Sequence, residues 1–311
     1  MDYLYLINFI SFLCSRITLI VTLSYLSLMH LYRLFFEYAS YSLDITGPLM
    51  VAVQKLTSLA FILHDNIHMK KNMSDSNNHI KKNGSESNKV YPCLLYVCTC
   101  ITVVNNDFYQ DFNFFFLFFF FFLHSDEDFV EKWSLFSQIL YLHISTTLVR
   151  FMYYNAWLLT DAVCNASGLG FNGYDEHGVS RWDLVTNVNI PKFEFGVNFK
   201  ETIDGWNMGT NRWLRLIVYN RTKKFSTALT FALSALWHGF YPGYYLTFAN
   251  GALFISAARA VRRKIRPYFQ SSSSHKLFYD LATTVVSRVA MAYIVFPFVL
   301  LEFGLSMRIY L

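Results

Sequence analysis

The feature that most constrains this chain is a series of apolar stretches close to the length that crosses a membrane. They cover 3–36, 44–65, 133–162, 225–248 and 281–305. A spanning helix needs about 20 mostly apolar residues, and hydrocarbon offers no water to unpaired backbone groups, so such segments fold as helices. Only 15% of the residues are charged, whereas soluble domains average about 25%. The sequence therefore predicts an all-α, polytopic transmembrane helical bundle and excludes an ordinary soluble enzyme.

The basic residues are scattered except for one cluster, which follows the apolar residues that end near Ala258. The cluster contains Arg259, Arg262, Arg263, Lys264 and Arg266. Basic residues next to a membrane helix favour its cytoplasmic side. We therefore interpret the cluster as a cytoplasmic anchor and predict no nucleic-acid partner. If the cluster contacts a ligand, a phosphate-rich molecule at the membrane surface fits it.

The five cysteines indicate neither a disulfide framework nor a metal site. Their number is odd, and Cys93, Cys98 and Cys100 lie within one apolar run. This spacing matches no zinc motif, and we interpret the cysteines as small buried hydrophobic residues. No group of histidine, aspartate and glutamate has the spacing of metal ligands. The sequence predicts no metal.

One histidine, His238, lies in the middle of an apolar stretch with aromatic neighbours and a following Gly/Pro break, SALWHGFYPGYY at 234–245. An ionisable group at membrane depth is costly and marks a functional site by default. Imidazole can accept a proton from an alcohol and return it near neutral pH. The competing interpretation is a structural histidine that is hydrogen-bonded to a neighbouring helix.

A second polar segment contains two asparagines. Asn207 and Asn211 are four residues apart, so a helix through both would present them on one face. A carboxamide cannot act as an acid or base at neutral pH, but it can orient a base or donate to a developing oxyanion. Helix capping is the simpler alternative for the asparagines, and Trp206, Trp213 and Trp237 are equally typical of membrane-interface aromatics.

Together, the segments WNMGTNRWL at 206–214 and SALWHGFYPGYYLTF at 234–248 resemble the membrane-bound O-acyltransferase (MBOAT) family, particularly its lysophospholipid acyltransferase branch. Asn207 precedes His238 by 31 positions. The resemblance extends to GFNGYDEHGVSRWDLVTNV at 170–188 and TGPLMVAVQKLTSLAFILHD at 46–65. It implies an enzyme that moves a fatty acyl group from acyl-CoA to the free hydroxyl of a lysophospholipid.

Carried over by motif, His238 matches the family's catalytic histidine and Asn207 its catalytic asparagine. Six further side chains in or beside the motifs are expected to contact substrate: Trp206, Asn211, Trp237, Tyr241, Arg181 and Tyr174. We expect no bound cofactor, acyl-CoA as co-substrate, membrane lipids as further partners and no obligatory protein partner. The resemblance implies a multi-pass protein of the endoplasmic reticulum.

The chain differs from the family pattern in its length and in one segment. Residues 66–89 read as a polar loop, and Phe114–Phe122 are almost pure phenylalanine. Such a tract carries no helix-packing information, and it is equally typical of a lipid-exposed span and of translated non-coding bases. We divide the chain into N-terminal membrane helices (1–66), a polar and low-complexity segment of doubtful origin (67–124) and an MBOAT catalytic core segment (125–311). Since a typical member is longer, we expect a bundle that is incomplete at both ends.

Three alternative functions remain. One is an MBOAT enzyme that acylates a protein or a sterol. Another is a non-catalytic channel, transporter or scaffold that uses His238 as a proton relay or packing residue, although transporters often show paired repeats and none is visible in this sequence. The third is a shortened chain that contains the core segment but is inactive.

Overall fold

A computed structural model describes residues 2–37, 45–75 and 132–310, with side chains described over 6–37, 45–68 and 132–310. The regular elements in these ranges are helices, which confirms the predicted all-α class. Their bounds are α1 Asp2–Phe36, α2 Thr46–Asp75, α3 Leu135–Ala166, α4 Ile190–Phe195, α5 Phe199–Asp204, α6 Met208–Ile217, α7 Ser226–His238, α8 Pro242–Lys264, α9 Ser273–Leu300 and α10 Phe303–Tyr310. The predicted polar loop does not begin at 66, because α2 continues to Asp75. The rest of the predicted 67–124 segment lies outside the described residues, and the three-part division of the chain stays a prediction.

Three of the described helices are long and apolar enough to cross a membrane, judged by length and composition. They are Leu6–Phe36, Thr46–His68 and Ser273–Leu300. The first two match the predicted stretches closely. The third begins eight residues before the predicted boundary of 281, because Ser272 caps α9 by accepting a hydrogen bond from the His275 N–H at 3.2 Å.

The described residues form two compact units, and the first contains α1, α2 and the chain from Arg212 to Ser226. Its centre is Phe61, which is fully buried. The guanidinium carbons of Arg16 and Arg221 lie 4.8 and 4.7 Å from the centroid of this ring. Arg221 also donates to both carboxylate oxygens of Asp65, at 3.0 and 2.6 Å. Cation–π contacts and a bidentate ion pair thus anchor residues far apart in sequence to α2.

The second unit is built around α3, α8 and α9. Ala292, Phe296 and Leu300 recur every four residues on α9, so they share one face, and that face packs on Leu142 and Val149 of α3. A neighbouring cluster joins α9 to α5 and α8 through buried apolar side chains: Phe199, Ile255, Ala290 and Ile294. Because α9 packs on α3 with one set of side chains and on α5 and α8 with another, it lies at the centre of the second unit.

A proline interrupts α9 near its end. Pro297 has no N–H, so the carbonyl of Tyr293 lacks its usual helical donor. The Tyr310 hydroxyl donates to that carbonyl at 3.3 Å, and its oxygen accepts from the Asn250 amide at 2.8 Å. Tyr310 of α10 therefore replaces the missing backbone donor of α9. Through Asn250, the same hydroxyl connects α9 and α10 to α8.

Two of the predicted apolar stretches are not continuous helices. The apolar stretch 225–248 is two helices, because α7 ends at His238 and α8 begins at Pro242. Gly239 between them has φ 121°, a backbone conformation that favours glycine, and Pro242 occupies the first position of α8. His238 therefore lies at a helix end and not in the middle of a span. The predicted stretch 281–305 is likewise divided, since α9 ends at Leu300.

Candidate active site

His238 is half-buried at the C-terminal end of α7, and one of its ring nitrogens is fixed by the helix itself. Its Nδ1 lies 2.7 Å from the Ser234 carbonyl oxygen. A carbonyl can only accept, so Nδ1 carries the proton and the neutral ring has Nε2 as its basic nitrogen. The local fold therefore provides a base with a defined tautomer.

Aromatic rings surround the imidazole. Trp237, which is 5% exposed, has its ring centroid 4.6 Å from that of His238. The rings of Phe248 and Tyr244 on α8 lie at 4.8 and 5.9 Å, and Phe298 on α9 lies at 5.3 Å. Tyr244 and Phe248 are four residues apart, so one face of α8 provides both contacts. The surroundings of the imidazole are therefore largely aromatic.

Close backbone contact between α8 and α9 supports these rings. A Cβ atom on Gly243 would lie 2.0 Å from the carbonyl oxygen of Pro297. The Gly243 N–H donates to the Leu301 carbonyl at 3.0 Å. Glycine is therefore required at this approach. Because Phe298 directly follows Pro297, the same contact sets the position of the ring that α9 presents to His238.

The second predicted catalytic residue, Asn207, precedes α6 in a left-handed conformation with φ 44°. Its carbonyl accepts from the Asn211 N–H at 3.0 Å. The prediction that Asn207 and Asn211 share a helix face is wrong, because α6 begins one residue later, at Met208. Asn207 therefore occupies the N-cap position, in the turn that precedes α6. Asn207 and His238 lie in the same compact unit.

The turn at Asn207 is held by Asn187, a residue that the sequence patterns did not single out. The Asn187 carbonyl accepts from the Met208 N–H at 2.7 Å. Its side-chain oxygen accepts from the Gly209 N–H at 2.8 Å. These are two of the unpaired donors at the start of α6, so Asn187 acts as an N-cap supplied from 20 residues earlier in the chain.

The motifs around these two residues correspond to a known family. Its sequence profile, described as MBOAT, membrane-bound O-acyltransferase family, matches residues 67–300. The chain belongs to the MBOAT family. This match confirms the family predicted from the paired asparagine and histidine segments.

The relatives of this MBOAT chain include named lipid acyltransferases. It is 40% identical to lysophospholipid acyltransferase 6 of Drosophila melanogaster, over 96% of this chain and 48% of that protein. It is 36% identical to human membrane-bound glycerophospholipid O-acyltransferase 2, over 94% of this chain and 66% of the relative. A lysophospholipid acyltransferase of Schizosaccharomyces pombe is 38% identical over 55% of this chain and 36% of its own length. The MBOAT chain thus spans about half to two thirds of the length of the first two relatives.

The two tryptophans that were predicted to contact substrate lie in different ring clusters. Trp237 contacts His238. Trp206, which is half-buried, packs edge-on against Trp157 at 4.8 Å and contacts Phe193 at 5.0 Å. Trp206 therefore anchors the turn before Asn207 to α3 and α4 of the MBOAT core. A direct contact between Trp206 and substrate stays a prediction.

The remaining predicted substrate contacts have different environments. Tyr241 is half-buried before α8, and its ring lies 5.8 Å from that of Tyr244, which contacts His238. Tyr174 is 69% exposed. Arg181 is exposed and pairs with Asp183 at 2.8 Å. The hydrogen bond from Arg181, with a second from an amide, lowers the pKa of the Asp183 carboxyl. Arg181 could therefore bind a phosphate only by sharing or leaving this carboxylate.

The MBOAT core described by the structure contains no cluster of three or more histidine, cysteine, aspartate or glutamate side chains that could hold a metal ion.

The loop that carries Asn187 is hydrogen-bonded to α3, since the Thr186 hydroxyl donates to Asp161 at 3.0 Å. Such contacts join residues 25 positions apart, so local sequence patterns gave no signal for them. Asn187 itself had one weak signal, because asparagine is a frequent capping residue.

Replacing Asn187 with alanine is expected to loosen the start of α6. Loss of a capping side chain costs about 1 kcal/mol, so the Gly209 amide should exchange with solvent about fivefold faster. Replacement with aspartate keeps the acceptor oxygen and adds negative charge at a helix N-terminus, so exchange there should stay slow. Hydrogen exchange followed by mass spectrometry measures both variants. Equal exchange of residues 208–211 in the alanine variant and the unmodified chain would contradict the capping role.

Proposed function

We propose that this chain carries the reaction centre of an acyl-CoA:lysophospholipid O-acyltransferase in the endoplasmic reticulum membrane. The observation that carries the proposal is the Nδ1 contact of His238 with the Ser234 carbonyl at 2.7 Å, which makes Nε2 a base. The chain belongs to a family of O-acyltransferases. The relatives named as lysophospholipid acyltransferases support a lysophospholipid acceptor.

His238 takes the role of general base and then general acid. Nε2 accepts the proton of the lysophospholipid hydroxyl as that oxygen attacks the thioester carbonyl carbon. The new C–O bond gives a tetrahedral oxyanion, and its collapse breaks the C–S bond. The departing CoA sulfur receives the proton from the imidazolium. The products are a phospholipid and CoA, with no covalent acyl-enzyme and no metal in the reaction.

Asn207 has the role of an amide donor. Its carboxamide NH₂ donates either to the oxyanion, which develops only in the reaction, or to a group that orients His238. The turn conformation of Asn207 and its anchoring through Asn187 and Trp206 support a preorganised donor. A donor that is already fixed requires no reorganisation as negative charge develops.

The aromatic surroundings of His238 favour transfer to an alcohol over hydrolysis. Trp237, Phe248 and Phe298 place ring carbons where water would otherwise solvate the imidazole. Excluding water strengthens the electrostatic contacts of the reacting atoms and suppresses attack of water on the thioester. An apolar environment also suits a fatty acyl chain and a lysolipid tail.

An acceptor panel tests the proposal. Membranes that contain the chain are incubated with a labelled long-chain acyl-CoA and, separately, with ethanolamine, serine and choline lysophospholipids, a sterol and an acceptor peptide. We expect label in phospholipid, with dependence on the added lysophospholipid. Label in the sterol or the peptide would establish a different acceptor class, and label in none of them would overturn the proposal. Membranes without the chain measure the background.

A further inference from the structure

The end of α8 and the beginning of α9 carry a dense positive charge, and the nearest acidic residue in sequence is Asp280, four residues after Lys276. No aspartate or glutamate occurs between Asp204 and Asp280. We define the basic patch as four exposed residues of this region: Arg262, Arg263, Lys264 and Lys276. Within the described ranges, none of the four has an ion-pair partner. Their charges are therefore available to something outside the chain.

The basic patch lies at one end of a helix that is long enough to span a membrane. α8 ends at Lys264 and α9, one of the candidate spans, begins at Ser273. The short 3₁₀ turn Arg266–Phe269 connects them, and the Phe269 ring contacts Tyr279 of α9 at 5.5 Å. The turn is thus packed against the first part of α9. All four cations of the patch are within about one helical turn of the connection or inside it.

Exposed apolar side chains follow the last cation of the patch, Lys276, along α9. Leu277, Phe278 and Leu281 on α9 are 60%, 64% and 58% exposed, and Tyr268 in the connecting turn is 80% exposed. Aromatic residues such as tyrosine favour the headgroup level of a bilayer, and large apolar side chains favour the hydrocarbon below it. This order of cations, aromatic ring and apolar surface follows the layers of a membrane leaflet.

We propose that the basic patch binds the anionic headgroups of phospholipids in the leaflet that α9 enters at Ser273. Clusters of four or more basic residues beside a membrane helix attract anionic lipids, and arginine donates two parallel hydrogen bonds to phosphate oxygens. Three of the four cations also stabilise the C-terminal end of α8, but Lys276 lies in the first turn of α9, where the helix dipole gives no such stabilisation. The proposal is independent of acyl transfer.

Lipid selectivity of the reconstituted full chain tests the proposal. The chain is placed in phosphatidylcholine vesicles with trace spin-labelled phosphatidylserine or phosphatidylcholine, and electron paramagnetic resonance gives the ratio of their association constants. We expect a preference for phosphatidylserine that falls when salt rises from about 0.1 M to about 1 M, since the screening length shortens from about 10 Å to about 3 Å.

The triple variant R262Q/R263Q/K264Q is expected to lose this preference. Each basic residue at an anionic surface contributes a factor of about five. The matched control R215Q/K223Q/K224Q removes three exposed charges from the other compact unit and should retain the preference. If the triple variant fails to insert, the three single glutamine variants replace it, each with a reduced preference expected.

Four outcomes would overturn the proposal. They are no preference in the unmodified chain, an unchanged preference in the patch variants, an equal loss in the matched control, and competitive displacement of the spin-labelled lipid by CoA. The last outcome would identify a nucleotide phosphate ligand in place of a lipid headgroup.

Discussion

Replacing His238 with alanine is expected to abolish acyl transfer while the chain remains inserted in the membrane. The variant loses Nε2, the atom that we propose accepts the hydroxyl proton and returns it to the departing sulfur. General acid–base catalysis contributes about 10²–10⁴-fold to the rate. We therefore expect kcat to fall by at least about 10²-fold. Because the proton moves only in the reaction, the loss should appear in kcat and far less in KM.

A matched histidine variant makes the result specific. His177 lies exposed on the loop after α3, and H177A should transfer acyl groups at the unmodified rate. Both variants are assayed with labelled acyl-CoA and lysophospholipid at equal amounts of inserted protein. Unchanged turnover in H238A would remove His238 from the mechanism. Equal losses in both variants would indicate a general effect of histidine replacement on the protein.

Breaking the buried ion pair between Arg150 and Glu194 is expected to destabilise the second compact unit strongly. Arg150 donates from Nε and Nη2 to the two carboxylate oxygens at 2.9 and 3.1 Å, and its side chain is 7% exposed. The Tyr154 hydroxyl donates to the same carboxylate at 2.5 Å. Removing one partner of a buried pair leaves an uncompensated charge, which costs about 3–5 kcal/mol.

The variant R150M should therefore lower the free energy of unfolding by about that amount. K200Q provides the control, since the Lys200–Asp204 pair is half exposed at its lysine and such pairs contribute about 1 kcal/mol or less. Denaturant unfolding in detergent micelles measures both. A double variant R150M/E194L should recover part of the loss, because it removes both charges. Equal stabilities of R150M and K200Q would contradict the account.

The pKa of the Glu194 carboxyl predicts how the free energy of unfolding changes at low pH. Burial alone would raise the pKa of Glu194, but hydrogen bonds from Arg150 and Tyr154 and the charges of Arg150 and Arg288 outweigh it and lower the pKa. A lowered pKa in the folded state stabilises the protein above the ordinary carboxyl range, and this stability is lost as pH falls through the folded pKa. The variant E194Q should lose that part of the pH dependence.

The Arg150–Glu194 ion pair is connected by side-chain packing to the turn that carries Asn207. Glu194 follows Phe193, whose ring lies 5.0 Å from Trp206 and 5.4 Å from the Arg150 guanidinium carbon. Trp206 directly precedes Asn207. The pair therefore fixes α4 on α3 and supports the turn that carries the proposed amide donor.

The sequence predicts the helical class and the family, because apolar length and short motifs are local signals, and the roles of His238 and Asn207 stay predictions. It fails at 225–248, where the continuous hydropathy of the stretch outweighs the Gly/Pro break after His238. The observed φ of 121° at Gly239 ends α7 there. It also fails at Asn207, because the cap that sets the start of α6 comes from Asn187, outside the motif.

The contacts that sequence patterns cannot give are those between distant positions. Arg150 and Glu194 are 44 residues apart, and Arg221 and Asp65 are 156 apart. Phe298 contacts His238 from a helix that contains Pro297 and in which the Tyr310 hydroxyl donates to the Tyr293 carbonyl. No periodicity encodes such pairings, since each depends on how the helices pack.

The most direct test of the central claim is an experimental structure of the chain with a non-hydrolysable acyl-CoA analogue and a lysophospholipid. The account predicts the acceptor hydroxyl within hydrogen-bond reach of His238 Nε2, about 2.6–3.2 Å, with the Asn207 amide directed at the same reaction centre. A structure in which both substrates bind and His238 Nε2 faces away from the hydroxyl would contradict it.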